Sequence, residues 1–284
     1  MYTLRASPFR SHLEQVLDSA SSELFVASPY IKTSEAEWVC ERICKRNDAN
    51  AFHVRVMTDV RSANVLSGSL DMAALRVFKN SFSHCEVINL PRLHAKVYVA
   101  DESNALITSA NLTPSGLDNN LEYGIAVSEK TVIQAVRRDL QRYAELGNQL
   151  TTETISDLEQ VADGLRQEFQ IIERSTEKKL RRKFNETLKR ANTQFLRAQV
   201  GTRSAHGLFA DAIMFLLSSR PMTTVELHAR IKELFPELCD DTVDLVINGQ
   251  HFGKKWKHVV RSAQAFLRRK GAIRLVGDEW HGNL

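Results

Sequence analysis

The stretch LHAKVYVADESNALITSAN, residues 93–111, decides how this chain is read. Two short runs in it, Ala95 to Ala100 and Ala105 to Ser109, have the length and the β-branched and aromatic content of strands. Alternate residues of a strand share a face and stand about 6 to 7 Å apart along it. His94 then pairs with Lys96, Ser109 with Asn111, and on the next predicted strand Asn120 with Glu122. Three adjacent strands would present six polar groups to one pocket, with Ala95, Val97, Val99 and Ile107 turned to the core. Such a cluster suits a phosphodiester, which needs a nucleophile, cationic or amide donors for its non-bridging oxygens, and an acid for the leaving oxygen.

Outward from this segment the pattern alternates. Further strands are predicted at Leu24 to Ser28, His53 to Thr58, Cys85 to Leu90 and Leu121 to Val127, and helices near Glu35 to Lys45, Met72 to Phe78 and Thr131 to Leu146. This order predicts an α/β domain over residues 1–150, built on a mixed sheet flanked by helices. Residues 153–199 contain one Gly and no Pro, with apolar residues at steps of three and four from Leu158 to Phe195, so residues 151–200 are expected to be a helical linker. Its second half carries seven cations between Lys178 and Arg190. A third unit follows over residues 201–284: a helix from Leu208 to Leu217, a capping box of Thr223 and Glu226 opening another, a helix from Lys255 to Lys270, and a hairpin turning at Gly277-Asp278.

The chain has 284 residues, 43% of them hydrophobic, and a formal charge of +4. That surplus is uneven, at −1 through residue 150 and +5 beyond it. An anionic partner is therefore expected to meet the C-terminal half. No run of about 18 apolar residues occurs and the N-terminus lacks a signal-peptide pattern, so a cytoplasmic location without membrane attachment is expected. Cys40, Cys44, Cys85 and Cys239 form no C-x-x-C pair and are expected to be buried free thiols.

His94, Lys96 and Asp101 satisfy H-x-K-x4-D, and Ser109 and Asn111 follow at the spacing of the phospholipase D superfamily signature H-x-K-x4-D-x6-G-S-x-N. Thr108 stands where that family usually has Gly, and Glu122 matches its acidic residue on the next strand. The resemblance covers roughly residues 1–150 and implies a catalytic set of His94, Lys96, Ser109, Asn111, Glu122 and Asp101, the last mainly holding a loop. It also implies chemistry by two histidines, one forming a phosphohistidine and one protonating the leaving group, with no metal and no cofactor. No second H-x-K exists in the chain. The resemblance is thus to single-motif members, bacterial nucleases and a restriction endonuclease among them, whose homodimers complete one site.

Phospholipases and phospholipid synthases share the motif, so context must choose the substrate. The helices and hairpin after residue 201 resemble a winged-helix domain, and residues 252–275 hold eight cations and no acid. Lys254, Lys255, Lys257, Arg261, Arg268 and Arg269 are the expected DNA-binding residues. The expected function is a metal-independent DNA endonuclease of a restriction or defence system, with an ATPase or methyltransferase as a possible partner. Two alternatives remain at this point: a DNA-binding adaptor that uses the fold for dimerisation, and a lipid phosphodiesterase.

Overall fold

The computed structural model describes residues 1–173, 186, 187, 191, 194, 201, 203–218 and 220–283. The basic run from Lys178 to Arg190 and most of the apolar periodicity beyond Leu165 lie outside the described residues. By its internal contacts the chain divides into two compact units, Met1–Gln199 and Val200–Leu284.

The first unit is built on an eight-stranded mixed sheet. Its strands are β1 (Tyr2–Ala6), β2 (Glu23–Ala27), β3 (His53–Thr58), β4 (His84–Asn89), β5 (Lys96–Ala100), β6 (Asn104–Thr108), β7 (Tyr123–Val127) and β8 (Asn148–Gln149). They lie in the order β1-β7-β6-β5-β2-β3-β4-β8. β2, β3 and β4 are parallel, whereas β5, β6 and β7 form an antiparallel meander that joins β2 through β5. Parallel neighbours need long crossovers. Helix α2 (Thr33–Cys44) supplies one, and the pair α3 (Ser62–Leu66) and α4 (Met72–Ser81) supplies the other.

Both faces of this sheet are covered, which is why Phe25, Val26 and Ala27 are all buried in one strand. On one face Leu24, Val26, Val54, Val56, Tyr98 and Leu106 pack in the same core as residues of α1 (Arg10–Ser19), α2 and α4. Ile155, Leu158 and Ala162 of α6 (Thr152–Glu173) enter that core, and Arg76 of α4 pairs with Glu159 at 2.8 Å. The opposite face is covered by α5 (Lys130–Leu146), whose Gln141 accepts a 2.7 Å bond from Arg55, the β3 residue between Val54 and Val56.

The six strands expected in this unit are present, five of them within one residue at each end. The sixth begins at Tyr123, two residues late, because Leu121 is 99% exposed and pairs with nothing. β1, α1, α3 and β8 have no counterpart in the expectation. β1 is an edge strand with four of its five residues exposed, so it carries no inward alternation to read. All four cysteines are free, but Cys44 is exposed where a buried thiol was expected, because the apolar face of α2 ends at Ile43.

The second unit contains α7 (Ala205–Leu217), β9 (Met222–Thr223), α8 (Thr224–Leu234), a hairpin of β10 (Asp244–Ile247) and β11 (Gln250–Lys254), α9 (Lys255–Arg269), β12 (Ile273–Val276) and β13 (Glu279–Gly282). The capping box forms as the sequence predicts, with Thr223 and Glu226 each bonding the other's backbone N–H. The three-stranded sheet runs β12-β13-β9. The β10–β11 hairpin was not foreseen, although its turn, Asn248-Gly249, has the positive φ at both residues that two-residue hairpins require.

Asp101 closes the far end of β5 in the left-handed region at φ +49°. Its carboxylate accepts five hydrogen bonds of 2.8 to 3.0 Å, from the backbone and hydroxyls of Ser21 and Ser22 and from the Glu23 N–H. Burial alone would raise its pKa, and these bonds together outweigh burial and lower it. A depressed carboxyl pKa adds stability that is fully present above the unfolded value of about 3.9 and is lost as pH falls through the folded value. Asp101→Asn should therefore destabilise the protein on the order of 2 kcal/mol at pH 7. Urea melts should show that deficit shrinking steadily below pH 4, and a deficit independent of pH would contradict the clamp.

Candidate active site

Because β5 runs against β2, with Ala27 opposite Val97, the start of β5 lies beside the carboxyl ends of β2, β3 and β4. Open α/β sheets bind ligands outside that edge. Four buried polar residues end the parallel strands there: Ser28, Thr58, Asp59 and Asn89. Each is used to fasten a loop. Ser28 Oγ accepts the Leu112 N–H at 3.1 Å, Asn89 Oδ1 accepts the Val60 N–H at 2.9 Å, and the Thr58 carbonyl accepts the Leu90 N–H at 2.8 Å. Asp59 receives the Arg61 guanidinium and the Arg92 N–H, the latter at 3.0 Å, with Arg92 at φ +64°. The turn that delivers His94 is thereby tied to the end of β3.

His94 is exposed, whereas Lys96 is only 6% exposed. Lys96 Nζ donates to the His94 carbonyl at 2.9 Å and lies 3.3 Å from both nitrogens of its imidazole. Burial lowers the Lys96 pKa, and the charge of Glu122 opposes that shift. The ammonium thus lies against an imidazole and within electrostatic reach of the Glu122 carboxylate, in surroundings where water screens it weakly.

Ser109 and Asn120 both donate to Glu122, Asn120 Nδ2 at 3.0 Å and the Ser109 hydroxyl through a short bond. The Tyr123 N–H donates to Ser109 Oγ at 3.0 Å. Ser7 fixes the same segment, donating to the Asn120 carbonyl at 2.7 Å and accepting the Glu122 N–H. Asn111 is half-buried, and its Oδ1 has no hydrogen-bond partner among the described residues. Its backbone is fixed by crowding: a Cβ on Gly116 would come within 2.5 Å of the Asn111 carbonyl oxygen. The buried Tyr98 hydroxyl donates to the neighbouring Ala110 carbonyl at 3.1 Å.

Two features differ from the strand-face pocket that the sequence predicts. β5 starts at Lys96, β6 ends at Thr108 and β7 starts at Tyr123, so His94, Ser109, Asn111, Asn120 and Glu122 all stand in turns beyond strand ends. Lys96 shares its face with Tyr98 and Ala100, which belong to the main core, so a polar pocket along that face has no room. Asp101 stands at the opposite end of β5, remote from His94, and its carboxylate is occupied by Ser21 to Glu23, in keeping with the loop-holding part expected of it. Thr108 meets a complementary glycine: a Cβ on Gly124 would lie 2.8 Å from Thr108 Cβ and 2.4 Å from the Ile107 carbonyl oxygen. The space that a glycine at 108 would leave is taken by Thr108 and yielded by Gly124.

Residues 13–144 match the family model described as cardiolipin synthase, PLD-like domain. The matched stretch lies within the first unit. No curated protein sequence matches the chain. Among solved structures, Nuc from Salmonella typhimurium, a phospholipase D family member, is 18% identical, with a TM-score of 0.45 over 54% of this chain and 99% of that one. NucT from Helicobacter pylori is 14% identical, with a TM-score of 0.44 over 53% and 99%. Phosphatidylserine synthase from Haemophilus influenzae is 12% identical, with a TM-score of 0.39 over 52% and 40%. Among the described residues no helix is long and apolar enough to cross a membrane.

In the second unit the six predicted DNA-binding residues fall on or beside α9 but differ in their freedom. Lys254 is engaged by Asp244 at 2.7 Å, which raises its pKa. Lys257 lies 5.6 Å from the Trp256 ring centroid. Lys255, Arg261, Arg268 and Arg269 are exposed. Sequence reasoning missed Ser7, Asp59 and Tyr98 around the His94 site, since their partners lie 115, 33 and 12 residues away.

Because Glu122 stabilises the charged form of Lys96 while burial opposes it, Glu122→Gln should lower the Lys96 pKa further. An NMR titration of the Lys96 ammonium should place its midpoint at lower pH in the variant, and an unchanged midpoint would mean that the two groups are not coupled.

Proposed function

We propose that this chain is a metal-independent phosphodiesterase that cuts DNA, with His94 as its nucleophile and two chains completing one active site. The observation that carries this reading is the His94–Lys96 pair held beside Glu122 at the carboxyl edge of a phospholipase D-like sheet. In this reading the imidazole attacks phosphorus and the bond to the leaving oxygen breaks, with His94 of a second chain giving that oxygen its proton. Water then cleaves the phosphohistidine, and the same second imidazole takes up the proton that it releases. Lys96 and Asn111 hold the non-bridging oxygens, where pre-aimed charge stabilises the transition state. Ser109 and Asn120 orient Glu122. Asp101 serves the fold and takes no part in the chemistry.

The second unit supplies recognition. Its three helices and its β12–β13 hairpin, paired through β13 to β9, support a winged-helix-like reading, with the unpaired cations of α9 meeting the phosphate backbone. Residues 1–150 then form the nuclease domain, residues 151–200 the helical linker, and residues 201–284 the DNA-binding domain. A cytoplasmic restriction or defence system fits a nuclease that separates cutting from recognition, and an ATPase or methyltransferase would be its regulatory partner.

His94→Ala should abolish cleavage of plasmid DNA while leaving Tm and DNA binding near wild type, and EDTA should leave the wild type active. Retained cleavage in the variant, or a strict need for added magnesium, would overturn the mechanism. Phosphatidylcholine hydrolysis in place of DNA cleavage would make the substrate a lipid.

Sharing of the site is tested by mixing. Heterodimers of wild type and His94→Ala contain one imidazole of the two required and should be nearly inactive. Activity that followed the wild-type fraction linearly, with subunit exchange verified, would rule out a shared site.

A further inference from the structure

The second unit holds a pocket of about 620 Å3 between α9, the start of α8 and β13. Arg261, Gln264, Ala265, Arg268 and Arg269 of α9 line it at helical spacings of three, four, seven and eight, together with Trp280 and Thr224. The wall contains three guanidiniums and no carboxylate. No side chain of Arg261, Arg268 or Arg269 makes a hydrogen bond or ion pair among the described residues, unlike Lys254 with Asp244 or Arg220 with Glu226. Uncompensated charge at this place is also felt by His228 of α8, whose pKa is pushed down to about 4, first by burial and then by Arg261 and Lys257.

Polar groups stand in an otherwise largely apolar wall of the pocket. Gln264 is only 2% exposed, an unusual position for a carboxamide in the middle of an amphipathic helix. Its Nε2 reaches Thr224 Oγ1 at 3.4 Å, at the long limit for such a bond, and the Trp280 Nε1–H donates to the same oxygen at 2.9 Å. The indole is thus fixed by a bond, and Gln264 retains donor and acceptor capacity, the combination that a nucleobase edge requires. Three guanidiniums suit phosphate oxygens, which they bind in forked geometry, and a ring beside apolar Ala265 offers a wall for a planar group. The volume is that of a mononucleotide-sized ligand, within the usual range of small-molecule pockets.

We propose that this pocket binds a single nucleotide, its phosphate held by Arg261, Arg268 and Arg269 and its base set against Trp280 and Gln264. The nucleotide is either one residue of a bound strand, which rests on the reading of the chain as a DNA enzyme, or a free nucleotide, which does not. An acidic peptide would satisfy the guanidiniums but leave the carboxamide and ring without use.

The test uses the full chain carrying His94→Ala, so that no turnover disturbs binding, and follows Trp fluorescence and calorimetric heat. The ligands are dAMP, dCMP, pyrophosphate, a 12-nucleotide single strand and a duplex of the same sequence. Arg268→Gln with Arg269→Gln should weaken nucleotide binding at least tenfold and reduce the log-log salt slope for the oligonucleotides by about one phosphate contact. Ala265→Glu, at an exposed position, should do the same by placing a carboxylate in the pocket, and it serves if the double variant fails to fold. Arg230→Gln, at an exposed position of α8 where the guanidinium pairs with Glu233, should leave mononucleotide affinity unchanged. Binding of mononucleotides identifies a free nucleotide as the ligand, and binding of oligonucleotides alone identifies a strand residue. Pyrophosphate binding as tightly as dAMP and dCMP would overturn the role given to Trp280 and Gln264. Parental affinity for every ligand in both variants would overturn the site. Since cleavage is measured separately on the chain with His94 intact, an inactive enzyme with a working pocket, or the reverse, is distinguishable.

Discussion

The row Lys96–Thr108–Gly124 is the constraint on which the candidate site depends. These three residues stand opposite one another in register across β5, β6 and β7. The register is exact because Gly124 has no Cβ, so the backbone of β7 can lie against Thr108 at a distance that any side chain would forbid. A shift by one residue would turn every side chain of a strand to the other face. With both faces of the sheet packed, such a shift would carry Lys96 away from Glu122 and put Tyr98 on the wrong side.

From that row the reacting groups extend outward into turns, and each turn is held by a separate long-range bond. Asp59 and the Thr58 carbonyl hold the turn before His94. Ser28 and the Tyr98 hydroxyl hold the segment around Asn111, and Ser7 holds Asn120 and Glu122. Arg10 adds a further brace, bonding Asp118 and the buried Glu35 at once, which raises its pKa far above the ordinary value, the bond to Asp118 being the largest contribution. A site on turns would ordinarily be loose. These braces give it the rigidity that transition-state stabilisation demands.

Chemistry and stability are separated along β5. At one end Lys96 keeps a partly desolvated charge, which costs stability and strengthens electrostatic action. At the other end Asp101 satisfies five donors and secures the start of β2. The signature's His, Lys and Asp are close in sequence, yet an extended strand of five residues places the first and last at opposite edges of the sheet.

The sequence by itself determined the α/β class, the six main strands, the helices that cross between the parallel ones, and the capping box of Thr223 and Glu226. These depend on local periodicity and on side chains a few residues apart, which a linear reading can see. It also singled out His94, Lys96, Ser109, Asn111 and Glu122 as residue types suited to phosphate chemistry. Only the tertiary structure decided that they gather at strand ends, because burial of both faces of β5 is a property of the whole sheet. It alone decided that Thr108 is matched by Gly124, which loop Asp101 clamps, that Lys254 is neutralised by Asp244, and that Arg261, Arg268 and Arg269 share a pocket with Trp280. Each of those facts joins residues brought together by strand order and helix packing, for which the sequence carries no local signal.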